Sequence, residues 1–403
     1  MARISTRNVL STPASSILVI FGITLCFLVR YLQKSSSRDP TSYFFDPSHA
    51  YERIYSARRI EEADAFIGAA ARLPSHSVTS ARDPLLCVGV TTVARRDEQY
   101  VRRTVGSLLH GLSLGDRRSI YLNLLIAHTD PSRHPIYGEK WTETLPDKVL
   151  KYPDDLAAQD LLYTWENEGW YRNKSIYDYT YLLKDCYYTG AKYIAMIEDD
   201  TLAVEGWYPQ ALEALEQIEE AMKEREESWL YLRLFYTESL HGWNSEAWPI
   251  YLYWCILIWA VLIGALLFAR NSSSRLNRHL SNASIAVLTC ICLPASIGLF
   301  FLAGRQTVMP LVTGVQEMPK YGCCSQGFIF PREIVPSVLM ETNVADDWLV
   351  DMMIEKIADN QDYLRWATVP ALLQHIGVSS SKGYGFDRLA STLWNFKFEQ
   401  HRP

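Results

Sequence analysis

The stretch Tyr193-Ile194-Ala195-Met196-Ile197-Glu198-Asp199-Asp200 runs an apolar segment straight into three consecutive carboxylates. Carboxylates crowded at the end of a buried strand repel one another, so they need a cation or strong hydrogen-bond donors beside them. Hard divalent cations such as Mn2+ and Mg2+ suit this kind of oxygen site and use few protein ligands when a diphosphate supplies the rest. A cation shared between a carboxylate and a diphosphate stabilises the charge that develops as a nucleoside diphosphate leaves. Glu198-x-Asp200 has this pattern, with Asp200 the first expected ligand and Glu198 or Asp199 assisting it or binding a ribose. Acidic loops after strands also occur as plain solvated turns, and the motif alone does not choose between the two.

The elements that must present these residues follow from periodicity. Apolar, β-prone runs predict strands at Leu85–Val93, Ile120–Ala127, Lys148–Tyr152, Lys192–Ile197, Trp229–Phe235 and Gly327–Phe330. Helical spacing marks Ile54–Leu73, Gln99–Leu109, Lys174–Thr189, Pro209–Glu227 and Asp346–Ile357, with a tail from Val369. The alternation before Tyr208 predicts βαβ units and an α/β fold with a mostly parallel sheet. Such sheets bind ligands at the carboxyl ends of their strands, where Asp130 and Glu198–Asp200 fall. The sequence contains no GxGxxG or GxxxxGK[ST], so a classical dinucleotide site and a P-loop lack support.

The 403 residues carry a net charge of −6, and no basic excess points to nucleic acid. The 12 Trp and 24 Tyr suit core packing and membrane-interface belts first, and sugar stacking second. Of the eight cysteines, Cys26, Cys255, Cys290 and Cys292 lie in apolar runs, and Cys87, Cys186, Cys323 and Cys324 lie outside them. None is spaced as a zinc site. The neighbours Cys323 and Cys324 suit a disulfide to a distant partner, with the pairing left open.

Three uncharged runs, Ser11–Val29 (within a span placed at 11–32), Pro249–Ala269 and Ala283–Gly304, approach the roughly 20 residues a spanning helix needs. The first lacks a small-residue cleavage site and reads as a signal anchor; Pro294 is expected to kink the third. Arg270, Arg275, Arg278 and His279 crowd the loop 270–282, which the positive-inside rule places in the cytosol. Parity then puts the tail 1–10 inside, and the stem and neck 33–80, the segment 81–248 and the segment 305–403 outside. Segments 81–248 and 305–403 are expected to form one domain interrupted by a membrane hairpin.

Four blocks carry a resemblance to a known family. Val88–Leu109 resembles its first strand and helix; Arg172–Ser175 with Asp178-Tyr179 and Ile197–Asp200 resembles its central donor block; Asp346–Leu349 resembles its late acidic block; and Leu373–Gly377 with Ser379–Ser381 resembles its C-terminal block. The family is that of the Golgi enzymes that add N-acetylgalactosamine to GPI anchors after attachment to protein. The chain is more distantly similar to N-acetylglucosaminyltransferase IV of N-glycan branching, whose members have a single span, so the hairpin favours the GPI family. The resemblance implies a GT-A glycosyltransferase fold split by the hairpin. It also implies a multi-pass Golgi protein with a luminal catalytic domain, UDP-GalNAc as donor, Mn2+ or Mg2+ as cofactor, and a mannose of the lipid-linked GPI glycan as acceptor. The sequon Asn173-Lys174-Ser175 falls inside the donor block, which leaves its glycosylation open.

Residue roles follow in part from that resemblance. Asp200, Glu198 and His375 are expected at the metal, although His375 also fits a structural hydrogen-bonded histidine. Asp347 is the expected general base, with Asp346 competing, and either suits a first-turn helix charge. Thr91, Thr92, Arg95, Asp130, Lys174, Asp178, Glu198 and Asp199 are expected around the nucleotide sugar. Arg95 equally suits a solvated helix-entry charge, and Lys174 with Asp178 a helix-surface pair. Competing readings are an N-glycan-branching transferase and a non-catalytic membrane scaffold or cargo receptor.

The topology generates a direct expectation. Asn271 and Asn282 each begin a sequon in the basic loop, and a cytosolic loop carries no N-glycan. Glycopeptide mass spectrometry should find both unmodified; glycan on either would invert the orientation.

Overall fold

The computed structural model describes residues 12–50, 52–72, 83–318, 320, 322–345, 348–378 and 393–401. The chain divides into two compact units, one of residues 1–52 and 238–311, the other of residues 53–237 and 312–403.

In the first unit, the helices Pro13–Ser35, Trp248–Ser272 and Asn282–Leu302 are each long and apolar enough to cross a membrane. Few of their residues are buried by protein, as suits lipid-facing surfaces. Hydrogen bonds tie three of their ends together. Tyr43 N donates to Leu302 O at 2.9 Å, Thr307 N and Oγ1 donate to Asp39 Oδ2 at 2.9 and 2.8 Å, and Trp243 Nε1 donates to Phe301 O at 3.0 Å. The end of the first helix, the start of the second and the end of the third thus share one side, as three alternating spans require. Gly304 makes the close turn in this junction: its φ is +90°, and a Cβ would lie 2.6 Å from Asp39 Oδ2.

The third helix carries a single π turn, Leu288–Cys292, immediately before Pro294. Leu293 N bonds Leu288 O in the π register, so the next donor, to Thr289 O, would be the nitrogen of residue 294, and proline has no N–H. The indole of Trp259 on the neighbouring helix donates to Thr289 O at 3.1 Å instead, which satisfies an orphan carbonyl in an apolar setting. Trp259→Phe should lower hairpin stability in detergent unfolding by about 1 kcal/mol. The same change in a Pro294→Leu background should be near neutral, because the backbone then supplies its own donor.

The second unit holds a mixed α/β sheet. Its strands are β1 Leu86–Thr92, β2 Ile120–Ile126, β3 Lys148–Leu150, β4 Tyr193–Glu198, β5 Thr201–Ala203, β6 Trp229–Arg233, β7 Gly314–Glu317, β8 Gly327–Pro331, β9 Leu364–Val369 and β10 Leu373–His375. Eight form one sheet in the order β3-β2-β1-β4-β8-β6-β9-β7, while β5 and β10 pair separately. All but β8 and β7 run in one sense. β8, which follows the membrane insert in sequence, lies between β4 and β6, which precede it, so one sheet is built from both halves of the chain.

β1 sits between parallel neighbours and is covered on both faces, which explains its unbroken apolar run. One face packs Val88 and Val90 with Leu122 and Leu124; the other packs Cys87 with Leu182 and Met196 from the helix Tyr171–Tyr187 and β4. Cys87 bonds to Cys186 of that helix.

The expected distant partner for Cys323 or Cys324 is corrected here. The two bond to each other at a turn where Cys324 has a φ of 84° and Arg233 NH1 donates to both their carbonyls. The expected neck helix, Tyr55–Ala70, belongs to this unit and packs on Val101–Leu109. Four strands (β5, β7, β9 and β10) and the helix Leu156–Glu168 were not anticipated.

Candidate functional site

The carboxyl ends of β1 and β4 lie side by side, with Thr91 in register with Glu198. Beyond β4 the chain turns at Asp199 and Asp200 into β5. The hydroxyl of Thr104 fastens this turn, 2.7 Å from Asp199 O and 2.8 Å from Thr201 O. Asp199 is buried: its Oδ2 accepts from Thr92 Oγ1 at 2.6 Å, and its Oδ1 lies 2.8 Å from Arg95 NH2. The same nitrogen of Arg95 is 3.0 Å from Asp200 Oδ2. Thr92 is held in turn by His134, whose Nε2 is 2.9 Å from its hydroxyl.

The second sheet completes the cluster. β10 runs antiparallel to β5 with His375 opposite Thr201, and Ile376 N donates to Asp200 O at 2.9 Å. This register puts His375 Nε2 3.6 Å from Asp200 Oδ2. A Cβ on Gly377 would lie 2.5 Å from that same oxygen and 2.9 Å from Asp200 Cγ, so only glycine lets the carboxylate lie there.

Charge in the cluster is unevenly shared. Burial pushes the Glu198 carboxyl up to about 7, aided by the neighbouring Asp200 charge, and Ser325 Oγ donates to its Oε1. Burial would raise Asp200 too, but His375 and Arg95 outweigh it and hold its pKa well below the carboxylate range. Burial lowers the His375 pKa while Asp200 raises it by more, so the imidazole tends to the charged form.

The Asp200 side chain is 13% exposed, and its buried Oδ1 has no hydrogen-bond partner. Among the described residues, no three His, Cys, Asp or Glu side chains converge to hold an ion unaided. A carboxylate oxygen without a donor, beside an imidazole, fits a cation that takes its remaining ligands from a bound diphosphate.

The other expected residues divide. Thr91 Oγ1 is buried at the strand end without a partner. Asp130 is exposed, and its carboxylate caps a short turn by accepting from Ser132 N and Oγ at 3.0 and 2.6 Å. Lys174 and Asp178 form the expected i,i+4 pair at 2.9 Å, but it is buried. The ammonium also donates to Ala127 O at 2.8 Å and Tyr152 Oη at 2.6 Å, so its three protons have three acceptors inside the protein. Asp346 and Asp347 lie outside the described residues. Ser325, Thr104, His134 and Gly377 are given no role in the site by the sequence reading, although Thr104 and Gly377 stand within blocks of the resemblance.

A profile of the GPI-N-acetylgalactosamine transferase PGAP4 family matches residues 86–374. The chain belongs to that family. No curated protein matches the chain. The PGAP4 match opens at the first residue of β1 and closes in β10, one residue before His375, so it takes in both halves of the sheet and the membrane insert between them. A PGAP4 member is a glycosyltransferase acting on GPI anchors, and the acidic cluster lies at the strand ends where such a sheet binds ligands.

The raised Glu198 carboxyl yields a pH test of the metal-free protein. Between its ordinary 4.5 and about 7, the folded chain holds a proton that the unfolded chain releases. Stability is therefore lost as pH rises through that window. In chelator, Glu198→Gln should be more stable than the parent at pH 8, by on the order of 2 kcal/mol, with no gain at pH 4.5. A pH-independent difference in thermal denaturation would refute the buried-charge account.

Proposed function

We propose that this protein is a metal-dependent, inverting transferase that moves N-acetylgalactosamine from UDP-GalNAc to a mannose of the GPI glycan on GPI-anchored proteins, at the luminal face of the Golgi membrane. The observation that carries the reading is the unpartnered Asp200 oxygen beside His375, at the carboxyl end of β4, within a PGAP4-family sheet. The strand order, with a parallel block β3-β2-β1-β4 ending in an acidic turn, supports a GT-A fold split by the hairpin.

In this reading Asp200 and His375, with Glu198 close by, hold Mn2+ or Mg2+. When bound, the cation neutralises charge building on the departing diphosphate. Thr91, with its free hydroxyl, and Arg95 face the donor. Asp199, fixed by Thr92 and Arg95, sets the shape of the turn. Asp347, or its neighbour Asp346, takes the proton of the acceptor hydroxyl as that oxygen attacks the anomeric carbon. The bond to UDP breaks on the opposite side and the configuration inverts. The bilayer keeps the lipid-linked acceptor near the enzyme, which raises its effective concentration.

The test is donor-dependent UDP release and transfer by the purified full-length protein. UDP-GalNAc with Mn2+ should be turned over and UDP-GlcNAc should not; the reverse preference would favour N-glycan branching, and neither would favour a non-catalytic scaffold. Asp347→Ala should lower kcat by at least about 10²-fold with UDP binding retained. If Asp346→Ala is the inactive variant instead, the base is its neighbour.

A further inference from the structure

Arg95 sits against the same Asp200 oxygen, Oδ2, that His375 faces. Its NH2 is 3.0 Å from Asp200 Oδ2 and 2.8 Å from Asp199 Oδ1, so one nitrogen serves both carboxylates. The residue is only 9% exposed and its guanidinium lies over the Tyr100 ring, 5.2 Å from the centroid. Tyr100 Oη accepts from Val378 N at 3.2 Å, so this platform is joined to the strand end that carries His375 and Gly377.

The hydrogen-bond inventory is unbalanced in a specific way. Arg95 Nε and NH1 are buried and bond to nothing, and Asp200 Oδ1 is buried and accepts from nothing. An arginine recruited only to neutralise two carboxylates would present its planar fork to them. Here most of the fork is left without acceptors, and leaving buried donors unsatisfied is unfavourable. The free donors on Arg95 call for anionic oxygens, and the free oxygen on Asp200 calls for a cation. A cation–diphosphate pair has both. A divalent cation bound to Asp200 beside Arg95 in its present position would face a like charge in a poorly solvated site.

We propose that Arg95 is a resident counter-ion that competes with the divalent cation for Asp200 and passes to the diphosphate when the nucleotide arrives, so that cation and nucleotide load together. This rests on the metal-dependent reading above and adds the order of loading to it. The protein without nucleotide binds Mn2+ weakly because Arg95 holds the site, and UDP draws Arg95 off. Linkage requires the reciprocal effect of Mn2+ on UDP.

The experiment titrates Mn2+ into the full-length protein in detergent, with and without UDP, and reads free Mn2+ by electron paramagnetic resonance. Arg95→Met removes the competitor, so Mn2+ alone should bind at least about tenfold more tightly than in the parent, and the gain from UDP should shrink by a similar factor. Arg95→Lys retains the positive charge without the fork: Mn2+ alone should stay as weak as in the parent, and part of the UDP gain should be lost. Unchanged or weaker Mn2+ binding by folded Arg95→Met overturns the proposal. If Arg95→Met does not fold, a full UDP gain in Arg95→Lys overturns it. If the parent binds no Mn2+ even with UDP, the metal-dependent reading falls as well, which separates the two failures.

Discussion

Three adjacent carboxylates at the end of a buried strand are the constraint around which the second unit is arranged. Each is compensated differently. Asp199 is buried and held by Thr92 and Arg95; Asp200 is mostly buried and balanced by Arg95 and His375; Glu198 accepts from the Ser325 hydroxyl, and burial pushes its carboxyl up to about 7. The partners come from three parts of the chain: the β1 end, the turn before β8, and β10. The pairing of β10 with β5 therefore does more than close a small sheet, since it brings His375 within 3.6 Å of Asp200.

The same requirement explains how the chain tolerates a membrane hairpin inside a sheet. β8 lies between β4 and β6, and Ser325, just before β8, binds Glu198. The segment after the insert thus supplies both a central strand and a site residue. In the membrane unit, the bonds among Asp39, Tyr43, Trp243, Leu302 and Thr307 gather the three helix ends that adjoin this domain in sequence. A hairpin that leaves and returns on one side lets β6 and β8 pair across the 93 intervening residues 234–326, of which the 74 at 238–311 belong to the membrane unit, because its two ends meet.

Much of this was legible from residue types. β1, β2, β4, β6 and β8 announce themselves as apolar β-prone runs, and the acidic turn follows β4 without interruption. Where sequence reasoning failed, pairing at a distance decided the outcome. β9 contains Arg365, which reads as solvent-facing until Glu355 is seen 3.0 Å away to neutralise it in the interior. β5 and β10 are three residues each and owe their form to one another. The helix Leu156–Glu168 did carry signals, an Asp155 cap and a left-handed Gly169 at its end, but its apolar face is weak. Lys174 illustrates the converse: the pattern marked it correctly as one of a pair with Asp178, but not that its ammonium is fully engaged by Ala127, Tyr152 and Asp178. The resemblance marks His375, which the fold places 3.6 Å from Asp200, while Gly377 beside it stands out only through the 2.5 Å approach a Cβ there would make to Asp200.

The central claim is that the Asp200 carboxylate, with His375, forms a cation-dependent diphosphate site. Calorimetric titration of UDP into the full-length protein, in Mn2+ and then in chelator, tests it most directly. The account predicts binding in Mn2+, loss of at least about tenfold in affinity in chelator, and a similar loss for Asp200→Asn even with Mn2+ present. UDP binding of equal strength in chelator, unchanged by Asp200→Asn, would contradict it.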